Sequence, residues 1–480
     1  MSFERVIFKG ASWLAFFKLL SQIFSWAITI IVARILTPAD YGLMEMATLI
    51  SSYGFFFSEL GLGAAIIQRK KVTLEDLSSI FWFLMGMSFI LAILCFPIAY
   101  MTSAIFKEPR VIPITMATST LFLMGGLQIV PVNIIRKEMR FKEIGLIEMV
   151  SVFISCVSML IIARMGGGVW TLIGGHIIRS FTTLIQVYIR VKWFPTFHFD
   201  IKRAKSFLGF GIPIAIQQSL YYIYSRSDKF FAGRALSSSA LGFYSYALDL
   251  SQIPTDKIVV LINQVSFSAF SQLQDDHEKF SKLYLNIVKI TATIVFPIFV
   301  GGFLIGDKIV KILLNEKWYP MIPLFKYLCL AQIMTAINAV NNFVHNAKGK
   351  PSYSLIFNGV MSLLLPISFY FSVQKGLQAM LIPWFTTYMA ISVGWIIITL
   401  NSLNINGRKY IDTIKLPTVS TIAMMITVLF SQYIIVSTRY SYSLIIEVAI
   451  YLITAVFIYC FIYWYFDRRI MNTLKLLVRK

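Results

Sequence analysis

Apolar residues fall in blocks of about 20 along the whole chain, and short polar or charged turns separate the blocks. A helix needs about 20 residues to cross the hydrocarbon core of a bilayer, so each block predicts one membrane-spanning helix. The strands of a membrane barrel would instead alternate over about ten residues, a pattern that the sequence lacks. We therefore predict helices at 11–33, 41–66, 79–101, 112–134, 145–164, 169–190, 207–232, 239–262, 286–306, 321–345, 352–373, 377–400, 416–436 and 443–465.

The order of these blocks predicts an all-α polytopic membrane protein with two similar halves. Its 14 transmembrane helices would form two pseudo-symmetric six-helix lobes, followed by two C-terminal helices. The expected N-lobe is 1–190, and a basic cytoplasmic linker at 191–206 leads to a C-lobe at 207–400. The last two helices and a basic cytoplasmic tail occupy 401–480.

An internal repeat supports the two-lobe organisation. The stretch 33–47 and the stretch 233–247 can be aligned without gaps, and each has an Arg, a short polar turn and a Gly at the same positions. The identical pairs are Arg34 with Arg234, Leu36 with Leu236, Gly42 with Gly242 and Ala47 with Ala247. Two stretches with the same order of residue types at a fixed offset are typical of a duplicated structural unit.

Composition and charge agree with a membrane protein and indicate its orientation. Hydrophobic residues make up 58% of the chain and charged residues 14%, with a mean hydropathy of +0.74. With the N-terminus inside, cytoplasmic segments would hold 26 of the 43 Lys and Arg residues and the outside loops would hold ten. This bias predicts that both termini are cytoplasmic. It also accounts for most of the +21 net charge, so we do not expect a nucleic-acid partner.

Other candidate chemistry is weak. The four cysteines each lie in a separate apolar block, which favours small core residues over disulfides or metal ligands. The run Asp275–Glu278 has metal-ligating residue types, but consecutive residues cannot all converge on one ion. It is better interpreted as a solvated charged loop, and we expect no metal site.

Polar residues inside the predicted spans are the strongest functional signal. Such residues are costly in lipid, and they usually face a bundle interior or a water-filled cavity. They recur at helical spacing in the first, seventh and tenth predicted helices. The candidate cavity residues for substrate binding are Lys18, Gln22, Ser25, Gln217, Tyr221, Arg226, Lys229, Asn338 and Asn342.

Each of these candidates has an alternative structural role. Lys18 is close enough to the cytoplasmic end of its helix to extend into the headgroup region. The charges at Arg226 and Lys229 would also fit an ion pair between helices, with Asp228 or Asp249 as the partner. Asn338 and its neighbour four residues on would serve equally well as interhelical hydrogen-bond donors.

Three carboxylates are candidates for ion coupling. Glu59 precedes two glycines that could loosen the second helix, and Asp228 lies between the two bases of the seventh helix. Asp249 lies on a polar face of the eighth helix. Either of the two aspartates could pair with the bases or carry H⁺ or Na⁺. We expect no other cofactor.

The sequence resembles a known transporter family. The segments that carry the resemblance are Lys9–Trp13, Ala33–Gly42, Glu59–Arg69, Gly233–Leu236 and Leu241–Tyr244, together with Asp228. They are similar to the polysaccharide transporter branch of the MOP (multidrug/oligosaccharidyl-lipid/polysaccharide) exporter superfamily. Within that branch, they most resemble Wzx-type, WzxC-like flippases of lipid-linked oligosaccharides.

The resemblance implies a V-shaped pair of lobes around a cavity that opens alternately to each side. It also implies a substrate, the undecaprenyl-diphosphate-linked oligosaccharide repeat unit, which crosses the bacterial cytoplasmic membrane during exopolysaccharide or lipopolysaccharide biosynthesis. The family's cavity is typically cationic, which suits the diphosphate, and Lys18, Arg226 and Lys229 are the matching bases here. The two aspartates near those bases depart from a purely basic pattern. Membrane lipids and other polysaccharide assembly proteins are further expected partners.

Two other functions remain as alternatives. A drug or cation exporter of the same superfamily would need a cavity that favours cations, whereas the candidate cavity carries bases. A membrane polysaccharide polymerase or glycosyltransferase would need a sizeable loop with catalytic residues, and the loops here are short. No nucleophile, base and orienting residue occur together in the sequence, so we do not expect an enzyme.

Overall fold

The computed structural model describes residues 3–59, 62–69, 72–437 and 443–466. For 3–12, 55–59, 201–217 and a few single residues it describes the backbone only. The helices are α1 Phe3–Ile35, α2 Pro38–Glu59, α3 Leu62–Gln68, α4 Leu74–Phe106, α5 Val111–Lys137, α6 Phe141–Arg164, α7 Trp170–Val191, α8 Ile201–Ala235, α9 Ser238–Pro254, α10 Val260–Gln272, α11 His277–Leu313, α12 Ile322–Ala347, α13 Pro351–Val373, α14 Ile382–Phe385, α15 Thr387–Ser402, α16 Gly407–Ser437 and α17 Leu444–Phe466. A π-helical turn, Thr255–Val259, joins α9 to α10, and 3₁₀ turns precede α12 and α14.

The predicted all-α membrane fold is confirmed. Every predicted helix has a counterpart, and about half of the helices extend a turn or more beyond the predicted ends. Within the described residues, 11 helical segments are long and apolar enough to cross a membrane, by length and composition. The counterparts of the predicted second, seventh and eighth helices are not among these segments. Helix α9 is only 17 residues long before the π-helical turn, and the described part of α8 carries Arg226, Asp228, Lys229 and Arg234.

The chain divides into two compact units, Met1–Gly242 and Phe243–Lys480. The first unit contains α8, which packs against α2 and α4. The expected linker at 191–206 therefore lies inside this unit, and the lobe boundaries stay a prediction. Inside the second unit, α11 packs against α12, α16 and α17.

The cytoplasmic linker of the prediction begins as an ordered strap across the start of α4. The Trp82 indole Nε1 donates to the Thr196 carbonyl at 2.8 Å, and the Thr196 amide donates to Ser78 Oγ at 3.1 Å. A capping box at Thr73 and Asp76 starts α4, because each side chain accepts a hydrogen bond from the backbone of the other residue. The same end of the helix is thus fixed by a cap and by the strap.

Between α4 and α5, a short turn carries an ion pair. The Arg110 guanidinium donates two hydrogen bonds to the Glu108 carboxylate, at 2.8 and 2.7 Å. This bonding lowers the pKa of Glu108 below its ordinary value. The pair lies at the surface, so its contribution to stability is small.

The repeated glycines of the two aligned stretches meet at the crossing of α2 with the start of α9. A Cβ built on Gly42 would lie 1.8 Å from the Ser238 carbonyl oxygen, and one on Gly242 would lie 1.8 Å from the Pro38 carbonyl oxygen. Neither position has room for a side chain. The contact is reciprocal, because each copy of the repeat places its glycine against the backbone at the start of the other copy's helix.

Three of the four cysteines are buried, as expected, but Cys460 is exposed on α17. The expectation that all four are core residues was therefore wrong for this residue. The outer face of α17 is broadly apolar, with exposed Phe457 and Phe461. Such a face is suited to lipid, where a thiol costs little.

Candidate functional site

A charged cluster lies between α2 and α8 of the first unit. The Lys229 ammonium donates to Glu45 Oε1 at 3.1 Å, and Arg226 Nη1 lies 4.0 Å from Glu45 Oε2. The side chain of Lys229 is 1% exposed, whereas those of Glu45 and Arg226 are 23% and 43% exposed. The two bases lie one turn apart on α8, so both reach the same carboxylate. We call these three residues the charged cluster.

Asp228 adds a second carboxylate beside this cluster. Its side chain is buried, and its Oδ1 accepts a hydrogen bond from the Lys229 backbone amide at 2.7 Å. Counting formal charges, Arg226 and Lys229 together balance Glu45 and Asp228. The other candidate carboxylate, Asp249, is exposed and lies in the second unit.

Glu45 is the residue that sequence reasoning missed. The sequence suggested Asp228 or Asp249 as the partner of the bases, whereas the contacts place Glu45 between them. Glu45 lay inside the second predicted helix, 41–66, but was not named among the candidate site residues. The helix begins at Pro38, so Glu45 lies two turns inside it. A single carboxylate in an apolar helix was the available signal.

Tyrosines line the approach to the charged cluster. The Tyr222 hydroxyl donates to the Leu49 carbonyl of α2 at 2.5 Å, and the Arg226 guanidinium lies 6.0 Å from the centre of the Tyr222 ring. Tyr221, a predicted cavity residue, is half exposed, and its ring meets that of Tyr224 edge to face at 5.3 Å. The Tyr222 ring thus lies near the Arg226 guanidinium, and Tyr221 leaves aromatic surface exposed on the same helix.

The candidates on α1 lie on a helix with a different neighbour. Helix α1 packs along α6, whereas α8 packs along α2 and α4. Lys18 is exposed, and Gln22 and Ser25 are partly buried. For Gln217 and Glu59 the structure gives the course of the helix, and their side chains lie outside the described part of the chain.

In the second unit, Asn338 joins α12 to α15. Its Nδ2 donates to Ser392 Oγ at 2.7 Å and to the Tyr388 hydroxyl at 3.2 Å. The Oδ1 atoms of Asn338 and Asn342 are buried and have no hydrogen-bond partner among the described residues. Asn338 Nδ2 thus has the interhelical hydrogen-bond role that was one of the two alternatives from the sequence. The two buried oxygens can accept a hydrogen bond from water or from another donor.

The second unit also contains an apolar groove of about 440 Å³ between α9, α11, α12, α16 and α17. Its lining includes Pro254, Pro297, Phe325, Met424, Leu452 and Val456. Gly301 and Gly302 of α11 also line it, and both lack side chains that would fill the space. Such a surface fits an acyl or prenyl chain better than a polar group.

The chemistry that the charged cluster offers is electrostatic. Arg226 can bind phosphate oxygens bidentately, and Lys229 provides a buried point charge behind it. Within the described residues, no three His, Cys, Asp or Glu side chains are arranged to hold a metal ion.

Comparison with solved structures identifies the fold. The chain superimposes on "Lipid II flippase MurJ, inward closed conformation" with a TM-score of 0.75 and 13% identity, covering 95% of this chain and 99% of that one. It also matches an inward-facing multidrug resistance MATE transporter of the MOP superfamily, with a TM-score of 0.60 and 16% identity over 80% of this chain and 94% of that one. At these identities, the likeness concerns the fold.

Comparison with known sequences gives related proteins from several bacteria. The chain is 24% identical to the lipopolysaccharide biosynthesis protein WzxC of Escherichia coli (strain K12), over 75% of this chain and 73% of that protein. It is 23% identical to the teichuronic acid biosynthesis protein TuaB of Bacillus subtilis (strain 168), over 88% of both chains. The succinoglycan biosynthesis transport protein ExoT of Rhizobium meliloti (strain 1021) is 22% identical over 68% of this chain and 66% of its own length. A family model described as "Polysaccharide biosynthesis protein" matches residues 31–323, more than half of the chain, and the chain therefore belongs to that family.

Proposed function

We propose that this protein is a flippase for lipid-linked oligosaccharides in a bacterial cytoplasmic membrane. The observation that carries the proposal is the charged cluster, which places an exposed arginine and a buried lysine among helices of a membrane protein. Family membership and the flippase fold support the same function. Its relatives WzxC, TuaB and ExoT are proteins of lipopolysaccharide, teichuronic acid and succinoglycan biosynthesis.

The physical task explains why bases are needed. An anionic diphosphate that leaves water loses several kcal/mol of solvation, roughly, unless positive charge compensates it. Arg226 is exposed enough to meet such a group, and the ring of Tyr222 supports its guanidinium. Exposed tyrosine surface beside it would give sugar rings flat contacts with hydroxyl partners. A phosphate bound by Arg226 and a sugar bound by the tyrosines would together form the polar head of a lipid-linked glycan.

The lipid part of the cargo has its own candidate surface. The apolar groove of the second unit is lined almost wholly by hydrophobic side chains and is large enough for a segment of prenyl chain. Undecaprenyl diphosphate is the carrier that the family resemblance implies, and we adopt it as the substrate class. Lys18, Gln22 and Ser25 of α1 complete the proposed path for the polar head.

Alternating access is the mechanism that these parts favour. Two lobes, proposed as 1–190 and 207–400, would rock about a fixed polar site, so that the head crosses without a continuous pore. We place both termini in the cytoplasm, on the Lys and Arg bias. Coupling to H⁺ or Na⁺ through Glu59, Asp228 or Asp249 is part of the proposal.

The decisive experiment follows the cargo. Deletion of the gene should cause one lipid-linked oligosaccharide to accumulate in the inner leaflet, and the wild-type gene should clear it. Arg226→Ala should restore the protein level but little polysaccharide export, and Arg226→Lys should restore only part, because lysine lacks the bidentate fork.

Arg179 of α7 supplies the matched control. It lies 3.8 Å from Glu148 and is 48% exposed, so Arg179→Ala removes a similar half-exposed base from a similar pair. We expect normal export from this variant. Full export by Arg226→Ala, or export of a cationic drug in place of the glycan, would refute the proposal.

A further inference from the structure

We infer that Glu45 is a positioning residue that holds Arg226 in the empty protein and competes with the phosphate of the cargo for it. The inference rests on the proposed function, because it names how the same site is regulated. Its basis is the unequal way in which Glu45 shares its two oxygens between the bases of α8.

The two bases lie at different distances from the Glu45 carboxylate. Lys229 Nζ lies 3.1 Å from Glu45 Oε1, within hydrogen-bond distance, and Lys229 is almost wholly buried. Arg226 Nη1 lies 4.0 Å from Oε2, which is an ion pair beyond hydrogen-bond distance. Glu45 therefore binds Lys229 firmly and Arg226 loosely.

The charge of Glu45 is the basis of this competition. Its carboxylate faces both bases, so it offsets part of the positive charge that they would present to an anion. An incoming anion that binds the Arg226 guanidinium therefore competes with the Glu45 carboxylate for it. Replacement is feasible because Arg226 and Glu45 are both partly exposed, and because Glu45 keeps its hydrogen bond to Lys229 when Arg226 leaves.

The same arrangement assists release. While the cargo occupies Arg226, the carboxylate of Glu45 remains on the adjacent helix and can return as the phosphate departs. Glu45 would thus weaken binding and speed unloading. Its neutralisation should give tighter binding together with slower export, a pair of effects in opposite directions that loss of structure would not produce.

The test measures binding of inorganic pyrophosphate to the purified full-length protein in detergent micelles, by calorimetry at fixed ionic strength. Glu45→Gln keeps the size and the acceptor oxygen for Lys229 but removes the negative charge. We expect pyrophosphate to bind at least about fivefold more tightly, the lower end of ordinary coupling between two sites. Export in cells should fall below the wild-type rate.

A carboxylate of similar geometry provides the control. Glu148→Gln neutralises the partner of Arg179, whose Nη2 lies 3.8 Å from it, and should leave pyrophosphate binding unchanged. If Glu45→Gln proves unstable, the double variant Glu45→Gln/Lys229→Met also releases Arg226 and should still bind more tightly than wild type.

The outcomes separate this inference from the proposed function. If Arg226→Ala weakens pyrophosphate binding but both Glu45 variants bind no more tightly than wild type, Glu45 is not a competitor and the inference fails alone. If Arg226→Ala leaves binding unchanged, the charged cluster is not the phosphate site, and the proposed function loses its main support.

Discussion

Replacing Lys229 by Met tests whether the buried base of the charged cluster is a structural element. The variant keeps the length and volume of the side chain but removes its charge and its 3.1 Å hydrogen bond to Glu45. Removing one partner of a fully buried ion pair costs about 3–5 kcal/mol. Because Glu45 is 23% exposed, water can solvate part of its stranded charge, so we expect about 2–3 kcal/mol here.

The measurement is thermal stability of the protein, as a fluorescent fusion heated in detergent and passed over a size-exclusion column. Lys229→Met should lower the midpoint of aggregation by several degrees. Glu45→Gln/Lys229→Met should recover most of that loss, because the Glu45 charge that the single variant strands is then absent. Arg226→Met is the comparison, since that side chain is 43% exposed and should cost less than about 1 kcal/mol. A Lys229→Met protein as stable as wild type, or a double variant no better than the single one, would refute the reasoning.

Three further predictions concern other parts of the chain. Gly42→Ala should destabilise the protein by about 1–3 kcal/mol, because the new methyl group meets a carbonyl oxygen. Gly86→Ala is the control, since a Cβ there would meet no described atom within 4 Å, and it should not destabilise the protein. Equal thermal midpoints for the two variants would contradict the backbone crossing. Glu108→Gln should lose a small stability increment at pH 7. Since the folded-state pKa of Glu108 is lowered, that increment is present above its unfolded pKa and disappears as pH falls through the folded value. Denaturation curves of variant and wild type should therefore differ at pH 7 and converge in acid, whereas curves that coincide already at pH 7 would show that the pair does not contribute. A cysteine at Thr37 should react with an impermeant maleimide added outside intact cells and one at Lys348 should not; outside labelling at Lys348 would overturn the topology.

Much of the fold followed from the length and apolarity of the blocks. Each apolar block of about 20 residues became a helix because the bilayer admits few other solutions for a single segment. The ends were less predictable. Helix α8 begins at Ile201, six residues before the predicted start, since a charged stretch such as Lys202–Lys205 can continue a helix outside the apolar region.

The site was only partly predictable, for a physical reason. Arg226 and Lys229 could be recognised as candidates because charged side chains in a membrane span are costly wherever they point. Their partner could not, since which helix faces α8 depends on tertiary packing, and Glu45 lies 181 and 184 residues away along the chain. Asn338 is a second example. Its polar position in a predicted span was visible in the sequence, but its partners on α15 depend on tertiary packing.

The crossing of the repeated glycines is a contact that two copies with different side chains can still share. Gly42 faces the Ser238 carbonyl and Gly242 faces the Pro38 carbonyl, so the contact is made by backbone atoms and is the same when viewed from either copy. It resembles an isologous contact, in which two identical subunits use the same surface, except that both copies here belong to one polypeptide. A contact without side chains places no demand on the residues around it. The side chains around the two glycines can differ between the copies without changing this contact, whereas a side chain at either glycine obstructs the same crossing.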